Sequence, residues 1–175
     1  MRWMWIDQIV EYEPDTRLVA IKNVSLAEEH LHDHFAADAQ HPEAQPVMPA
    51  CFIIEGMAQT AGILVGSVHR FREKVILAKI QRALLDREVS PGQTLRYTAT
   101  IERIDAGGAA TSGLVECRGH AAGNDQWQTV GEIELMFSHI DQNMAGLQFP
   151  EENFVFSENF RTILRAAGLE DLAQA

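Results

Sequence analysis

Residues 50–71, ACFIIEGMAQTAGILVGSVHRF, constrain the fold more than any other stretch of this 175-residue chain. Phe52, Ile53, Ile54, Met57, Ala58, Ala61, Ile63, Leu64 and Val65 cover every face of the helix that the run predicts. A helix apolar all round is buried, in a core or in a bilayer. Glu55, Gln59 and the glycines at 56, 62 and 66 speak against a bilayer span. Pro49 stands just ahead of the run, where a missing N–H costs little. The rest of the chain must therefore wrap one long central helix.

The flanking sequence reads as that wrapping. RLVAIKNVSL (17–26) is β-branched and follows the turn signal EPDT. KVILAKIQRALL (74–85) opens as a strong strand, and SPGQ (90–93) supplies a Pro-Gly turn. TLRYTATIERID (94–105) alternates at period two, AGGAA (106–110) turns the chain, and TSGLVECRGHA (111–121) and QWQTVGEIELMFSHI (126–140) complete a meander. Strands joined by short turns predict an antiparallel sheet, hence an α+β domain over residues 1–140. The tail, 141–175, reads as a C-terminal helical extension, with Phe160, Ile163, Leu164 and Ala167 at helical spacing.

Composition narrows the function classes. At 46% hydrophobic and 22% charged the chain has the make-up of one soluble domain. The start, MRWMWIDQIVEYEPD, has no basic segment followed by a long apolar run, so no signal peptide is expected. Cys51 and Cys117 give neither a disulfide framework nor a metal-knuckle spacing, and cytoplasm is the expected location. A net charge of −11 argues against nucleic acid, which needs a cationic surface. Six of the fourteen Lys and Arg nevertheless crowd into 70–87: Arg70, Arg72, Lys74, Lys79, Arg82 and Arg87. Such a patch could steer an acidic partner or be a plain solvated face.

Three features carry chemistry. A carboxylate buried in apolar surroundings costs several kcal/mol, so Glu55 is expected to be held neutral or to have partners. Gln59, one turn on, lies within hydrogen-bonding reach, and a carboxyl kept protonated near neutrality can act as a general acid. The helix start leaves the N–H groups of Ala50 and Cys51 without intrahelical acceptors, at the positive end of the dipole, where a carbonyl oxygen gaining charge could rest. Finally, HLHDHF puts His30, His32 and His34 at period two, one face of an extended segment. Three such histidines could bind zinc or iron, but no fourth ligand is evident, and a single histidine acting as general base is the more economical reading.

QPVMPACFIIEGMAQTAGIL resembles the signature of the 3-hydroxyacyl-[acyl-carrier-protein] dehydratases, in which a His-Phe loop leads through a Pro-x-x-Pro turn into a central helix bearing an acidic residue and Met-x-Gln. The opening WIDQIVEYEPDTRLVAIKNVSL and the middle ILAKIQRALLDREVSPGQTLRYTATI resemble the family's strands, so the likeness covers residues 3–140. It implies a hotdog fold and a homodimer, alone or as a trimer of dimers. It also implies a substrate on the phosphopantetheine arm of acyl carrier protein, dehydrated to a trans-2-enoyl thioester without metal or organic cofactor. By the same resemblance Glu55 matches the acid, acting across the dimer interface, and Gln59 the glutamine after it. Ala50 matches the helix-start N–H. The basic patch would receive the acidic carrier.

The histidine departs from the pattern, because ten residues, AADAQHPEAQ, separate Phe35 from Pro46, more than the family has. Asp33-His34-Phe35 keeps the local context and makes His34 the preferred base. His41, fourteen residues before Glu55, is the alternative. A hotdog thioesterase and a non-catalytic acyl-binding subunit are the competing functions.

Overall fold

The computed structural model describes residues 3–33, 36–40, 42–119, 126–140 and 158–173. The strands are β1 (Gln8–Glu13), β2 (Arg17–Asn23), β3 (Lys74–Leu85), β4 (Gln93–Asp105), β5 (Gly108–Gly119) and β6 (Gln128–Ile140). They form one sheet in the order β1-β2-β4-β5-β6-β3, with every neighbouring pair antiparallel. The helices are α1 (Glu29–Asp33), α2 (Ala50–Val68) and α3 (Glu158–Ala166), the last followed by a 3₁₀ turn, Glu170–Ala173.

The sheet curls around α2, which packs against β2, β3, β4, β5 and β6. Along β5 buried and half-buried positions alternate from end to end, the period-two signature of a strand with one face on the core. Ile53, Met57, Ile63, Leu64 and Val65 of α2 are all buried, each side chain worth about 1.5–3 kcal/mol for leaving water. So α2 passes for a bilayer span by length and hydropathy, while its apolar faces are spent largely on the sheet.

Close approach of helix to sheet depends on missing side chains. A Cβ on Gly56 would lie 2.5 Å from the ring of Tyr97, and one on Gly113 would lie 2.4 Å from the Met57 sulfur. Tyr97, from the middle of β4, is thereby pressed under α2 and is fully buried. Its hydroxyl has no hydrogen-bond partner among the described residues.

The expected helix 50–71 stops three residues early, and the cause is a Schellman turn. Phe71 N–H donates to Gly66 O at 2.8 Å and Arg70 N–H donates to Ser67 O at 2.9 Å, the paired bonds of that motif. Arg70 and Phe71 both take left-handed backbone, at φ 54° and 56°. The position usually given to glycine is occupied by Arg70, which costs about 1–2 kcal/mol of backbone strain. In return the Phe71 ring folds back onto Gly66, where a Cβ would sit 2.7 Å from it.

A second difference lies in HLHDHF. Residues 29–33 form the short helix α1, not an extended strand. Positions two apart on a helix are turned about 200° from each other, so 30 and 32 do not share a face. His34 lies outside the described residues.

Two outcomes follow for stability. Arg70→Gly relieves the left-handed strain at the cost of some chain entropy, and should raise the melting temperature by about 2–4 °C. An unchanged or lower value would contradict the strain. Burial, with smaller contributions from Asp7 and Glu28, pushes the Tyr97 phenol far above its ordinary value of 10.0. The unfolded chain releases this proton near pH 10 while the native state keeps it. Stability is therefore intact below pH 10 and falls above it by about 1.4 kcal/mol per pH unit from this group. Tyr97→Phe should remove that share of the alkaline loss, measured by denaturant melts at pH 9–11, without lowering stability at pH 7, because the lost hydroxyl has no partner among the described residues.

Candidate functional site

Glu55 sits one and a half turns into α2 and is half-buried. It is not isolated. Its Oε1 accepts the Trp3 indole N–H at 3.1 Å and the Gln59 side-chain N–H at 3.0 Å. Gln59 is itself fixed by main chain: its Oε1 accepts Trp5 N–H at 2.8 Å, and its Nε2 also donates to Trp3 O at 3.1 Å. The segment ahead of β1 thus straps the carboxyl to the helix. Both donors converge on Oε1, and no described residue donates a hydrogen bond to Oε2.

An aromatic cluster fixes the strap. Trp5 stacks on Phe52 with ring centroids 3.9 Å apart, Trp3 meets both edge-on, and the His30 ring packs edge-on against Trp5 and Phe52 at 5.2 and 4.9 Å. Trp5 is buried, Phe52 half-buried and Trp3 exposed, and aromatic pairs of this kind add about 0.5–1.5 kcal/mol each where they are buried. They join the strap, α1 and the first turn of α2 into one unit.

Pro49 is the N-cap of α2 and no side chain caps the end. The Pro49 carbonyl accepts Phe52 N–H at 2.9 Å and Ile53 N–H at 3.4 Å. Ala50 and Cys51, both exposed, precede these bonds, so their N–H groups are among the helix donors without an intrahelical acceptor. The approach to the turn is anchored by Met48, buried, whose N–H donates to Val89 O at 2.8 Å.

From Glu55 a cleft of about 310 Å³ runs along one face of α2 past Ala58, Gly62, Ile63 and Gly66. Small residues at three of these positions leave a groove where side chains would otherwise stand. Met4 and Ile6 of the strap, Val75 and Leu77 of β3 and Phe137 of β6 complete its apolar walls. Phe71, Glu73 and Phe160 lie at the far end.

The six cations form a stripe rather than a compact patch. Arg70 and Arg72 follow α2, Lys74, Lys79 and Arg82 lie along β3, and Arg87 lies beyond it. Arg82 reaches Glu132 and Glu134 of β6, both at 3.4 Å, and is partly neutralised. Lys74 is half-buried, while the other five are exposed. Both candidate bases, His34 and His41, lie outside the described residues. Among the described residues no three His, Cys, Asp or Glu side chains are grouped to hold a metal ion.

The expected Glu55–Gln59 hydrogen bond is present, whereas sequence reasoning assigned no place beside Glu55 to Trp3 or Trp5 and none in a cleft to Phe160. The signal for the strap was present in the alternating apolar start WMWI, yet nothing in it indicates that an indole N–H meets a carboxylate 52 residues away.

Known proteins resemble this chain over most of its length. The FabA-like domain matches residues 2–127. The 3-hydroxyacyl-[acyl-carrier-protein] dehydratase FabZ of Solibacter usitatus is 38% identical over 151 residues, 85% of this chain and 83% of that protein. Its counterpart in Chloroflexus aggregans is 33% identical over 140 residues, 79% of this chain and 87% of that protein. Among solved structures, the dehydratase heterocomplex ApeI:P from Xenorhabdus doucetiae aligns over 80% of this chain and 85% of its own, with TM-score 0.57 and 16% identity. An acyl-CoA hydrolase from Agrobacterium tumefaciens aligns over 76% of this chain and 46% of its own, with TM-score 0.55 and 13% identity. The structural likenesses carry the hotdog fold alone. The match over residues 2–127, with identities above 30% across most of both chains, carries more: this protein belongs to the FabA-like family.

Proposed function

We propose that this protein eliminates water from 3-hydroxyacyl thioesters carried on acyl carrier protein, giving trans-2-enoyl thioesters in fatty acid synthesis or a related lipid or polyketide route. The observation that carries the reading is Glu55: a carboxyl strapped by Trp3 and Gln59 at one end of an apolar cleft, on the central helix of a FabA-like chain. The N–H of Ala50, helped by that of Cys51, donates to the thioester oxygen as it gains charge. His34, with His41 as the alternative, takes the proton from C2. Glu55 gives its proton to the C3 hydroxyl, the C3–O bond breaks, water leaves, and the electron pair from C2–H becomes the C2=C3 double bond. Gln59 positions Glu55 and touches no reacting atom. No step calls for a metal or an organic cofactor, and two cysteines with no evident pairing suit a cytoplasmic protein.

The functional unit in this reading is a homodimer, alone or within a trimer of dimers, with histidine and glutamate supplied by different protomers. β3 supports it. This 12-residue strand ends the sheet, so one edge has no partner strand among the described residues. It exposes Leu77, Ile80 and Leu84 at 38, 46 and 47%. A long apolar edge of this kind is a pairing surface unless something blunts it. A hydrolase neighbour shares only the fold at 13% identity, so thioester hydrolysis has less support. A non-catalytic acyl-binding subunit would keep the cleft without needing the Glu55–Gln59 network.

Enoyl absorbance with a 3-hydroxyacyl-carrier substrate tests the chemistry. Glu55→Gln and His34→Ala should each lower kcat by about 10²–10⁴-fold, while His41→Ala keeps most of it. Full activity in His34→Ala with loss in His41→Ala would exchange the two histidines. Thiol release without enoyl product would replace dehydration by hydrolysis, and an inert wild type would favour the binding subunit. Carrier docking has its own test. Arg70→Glu with Arg72→Glu should raise KM on carrier-linked substrate about tenfold or more and leave a pantetheine thioester unaffected. Equal effects on both substrates would remove the cation stripe from the docking surface.

A further inference from the structure

The Glu55 cleft has an end wall that the dehydratase pattern does not predict. Gly66 stands eleven positions after Glu55, about 16 Å along the helix axis. Phe71 closes the floor there, its ring seated on Gly66 and held by the 2.8 Å bond from its own N–H to the Gly66 carbonyl. Phe160 comes from α3, more than thirty residues beyond the matched family domain. Its ring meets Phe71 edge-on, centroids 5.9 Å apart with an interplanar angle of 89°.

α3 is anchored, not laid loosely on the surface. It packs on β1, with Phe160 6% exposed, Ile163 9% and Leu164 fully buried. Beside the two rings the lining becomes polar: the Glu73 carboxylate lies there, 3.0 Å from His139 Nδ1. An alkyl chain reaching past Phe71 and Phe160 would have to displace a packed aromatic pair and set methylenes against that carboxylate, and both cost free energy.

We propose that Phe160, brought in by the C-terminal helix and braced by Phe71, is a specificity-determining residue that sets the longest acyl chain the cleft accepts. This assignment rests on the dehydratase reading for the identity of the substrate, but not for the existence of the wall. A segment outside the matched domain thus acts as a ruler for a site built by that domain.

Two measurements on the full-length protein test it. Calorimetric binding of unreactive S-alkyl pantetheine thioethers, lengthened two carbons at a time from four to sixteen, should show affinity rising to a limit in wild type. Phe160→Ala should move that limit to longer chains and Phe160→Trp to shorter ones. In parallel, the ratio of kcat/KM for sixteen-carbon over eight-carbon 3-hydroxyacyl-carrier substrate should rise at least about tenfold in Phe160→Ala, the lower end of what a misfit methylene costs in a closed pocket. Opposite shifts in the two variants cannot come from a general loosening of α3, which would move both the same way. A limit that stays put in both variants, or moves alike in both, overturns the proposal. A shifting thioether limit in a protein that turns over no 3-hydroxyacyl thioester would uphold the wall and refute the dehydratase reading.

Discussion

The structure depends on one steric concession, the contact of α2 with the sheet where no side chain intervenes. Gly56 lets the Tyr97 ring lie against the helix backbone, and Gly113 leaves room for the Met57 sulfur. Interiors pack to crystal-like density, so even one methylene at either place must push something aside. A helix with no polar face needs a wrapping on nearly every side, and a curled antiparallel sheet is the wrapping that short turns can build. The concession has a cost. Tyr97 is buried with no partner for its hydroxyl among the described residues, an arrangement tolerated because the ring's apolar burial outweighs the stranded O–H.

The same economy of side chains creates the cleft. Ala58, Gly62 and Gly66 lie on the helix face turned toward the strap and β3, and there the sheet does not close in. Space left on one face of an otherwise enclosed helix is apolar by construction, and the only ionisable group on that stretch of α2 is Glu55. Half-buried there, it gives up part of its hydration, a loss that hydrogen-bond donors must make good. Trp3 of the strap and Gln59 of α2 offset that loss with one N–H donor each, while no described residue donates to the second oxygen. Placement of the carboxyl and solvation of the carboxyl are therefore one arrangement, and Gln59 serves both by taking its own orientation from the backbone of Trp3 and Trp5.

How much of this was legible in the sequence depended on the range of the interaction. The core helix, the β4–β6 meander and the turn at Ser90–Gln93 rest on local periodicity and local turn chemistry, and all can be read directly. Glu55 and Gln59 are four residues apart on one helix face, again a local relation. α1 was not legible, because a five-residue helix has little propensity signal and owes its place to His30 packing on Trp5 and Phe52. The early end of α2 was not legible either. Arg70 occupies a left-handed position that favours glycine, and only the gain from seating Phe71 on Gly66 makes that choice intelligible. Trp3 at one end of the cleft and Phe160 at the other act on residues far away in sequence, which no window of a few turns can reveal.

β3 brings these threads together. Leu77 belongs both to the cleft wall and to the sheet's outer strand, so a second copy pairing along that edge would sit beside the cleft. Lys79 and Arg82 on the same strand place positive charge at the edge of a protein that is otherwise strongly acidic. Lysine and arginine on an edge strand discourage indiscriminate strand addition, and in an acidic chain they also favour approach by acidic surfaces. Under the proposed function, an edge apolar enough to pair, yet charged enough to choose what it pairs with, would let one strand serve assembly, the substrate wall and carrier recognition. Changes on β3 are therefore expected to be coupled in their effects, whereas changes at Phe160, on a separate element, leave assembly and docking untouched.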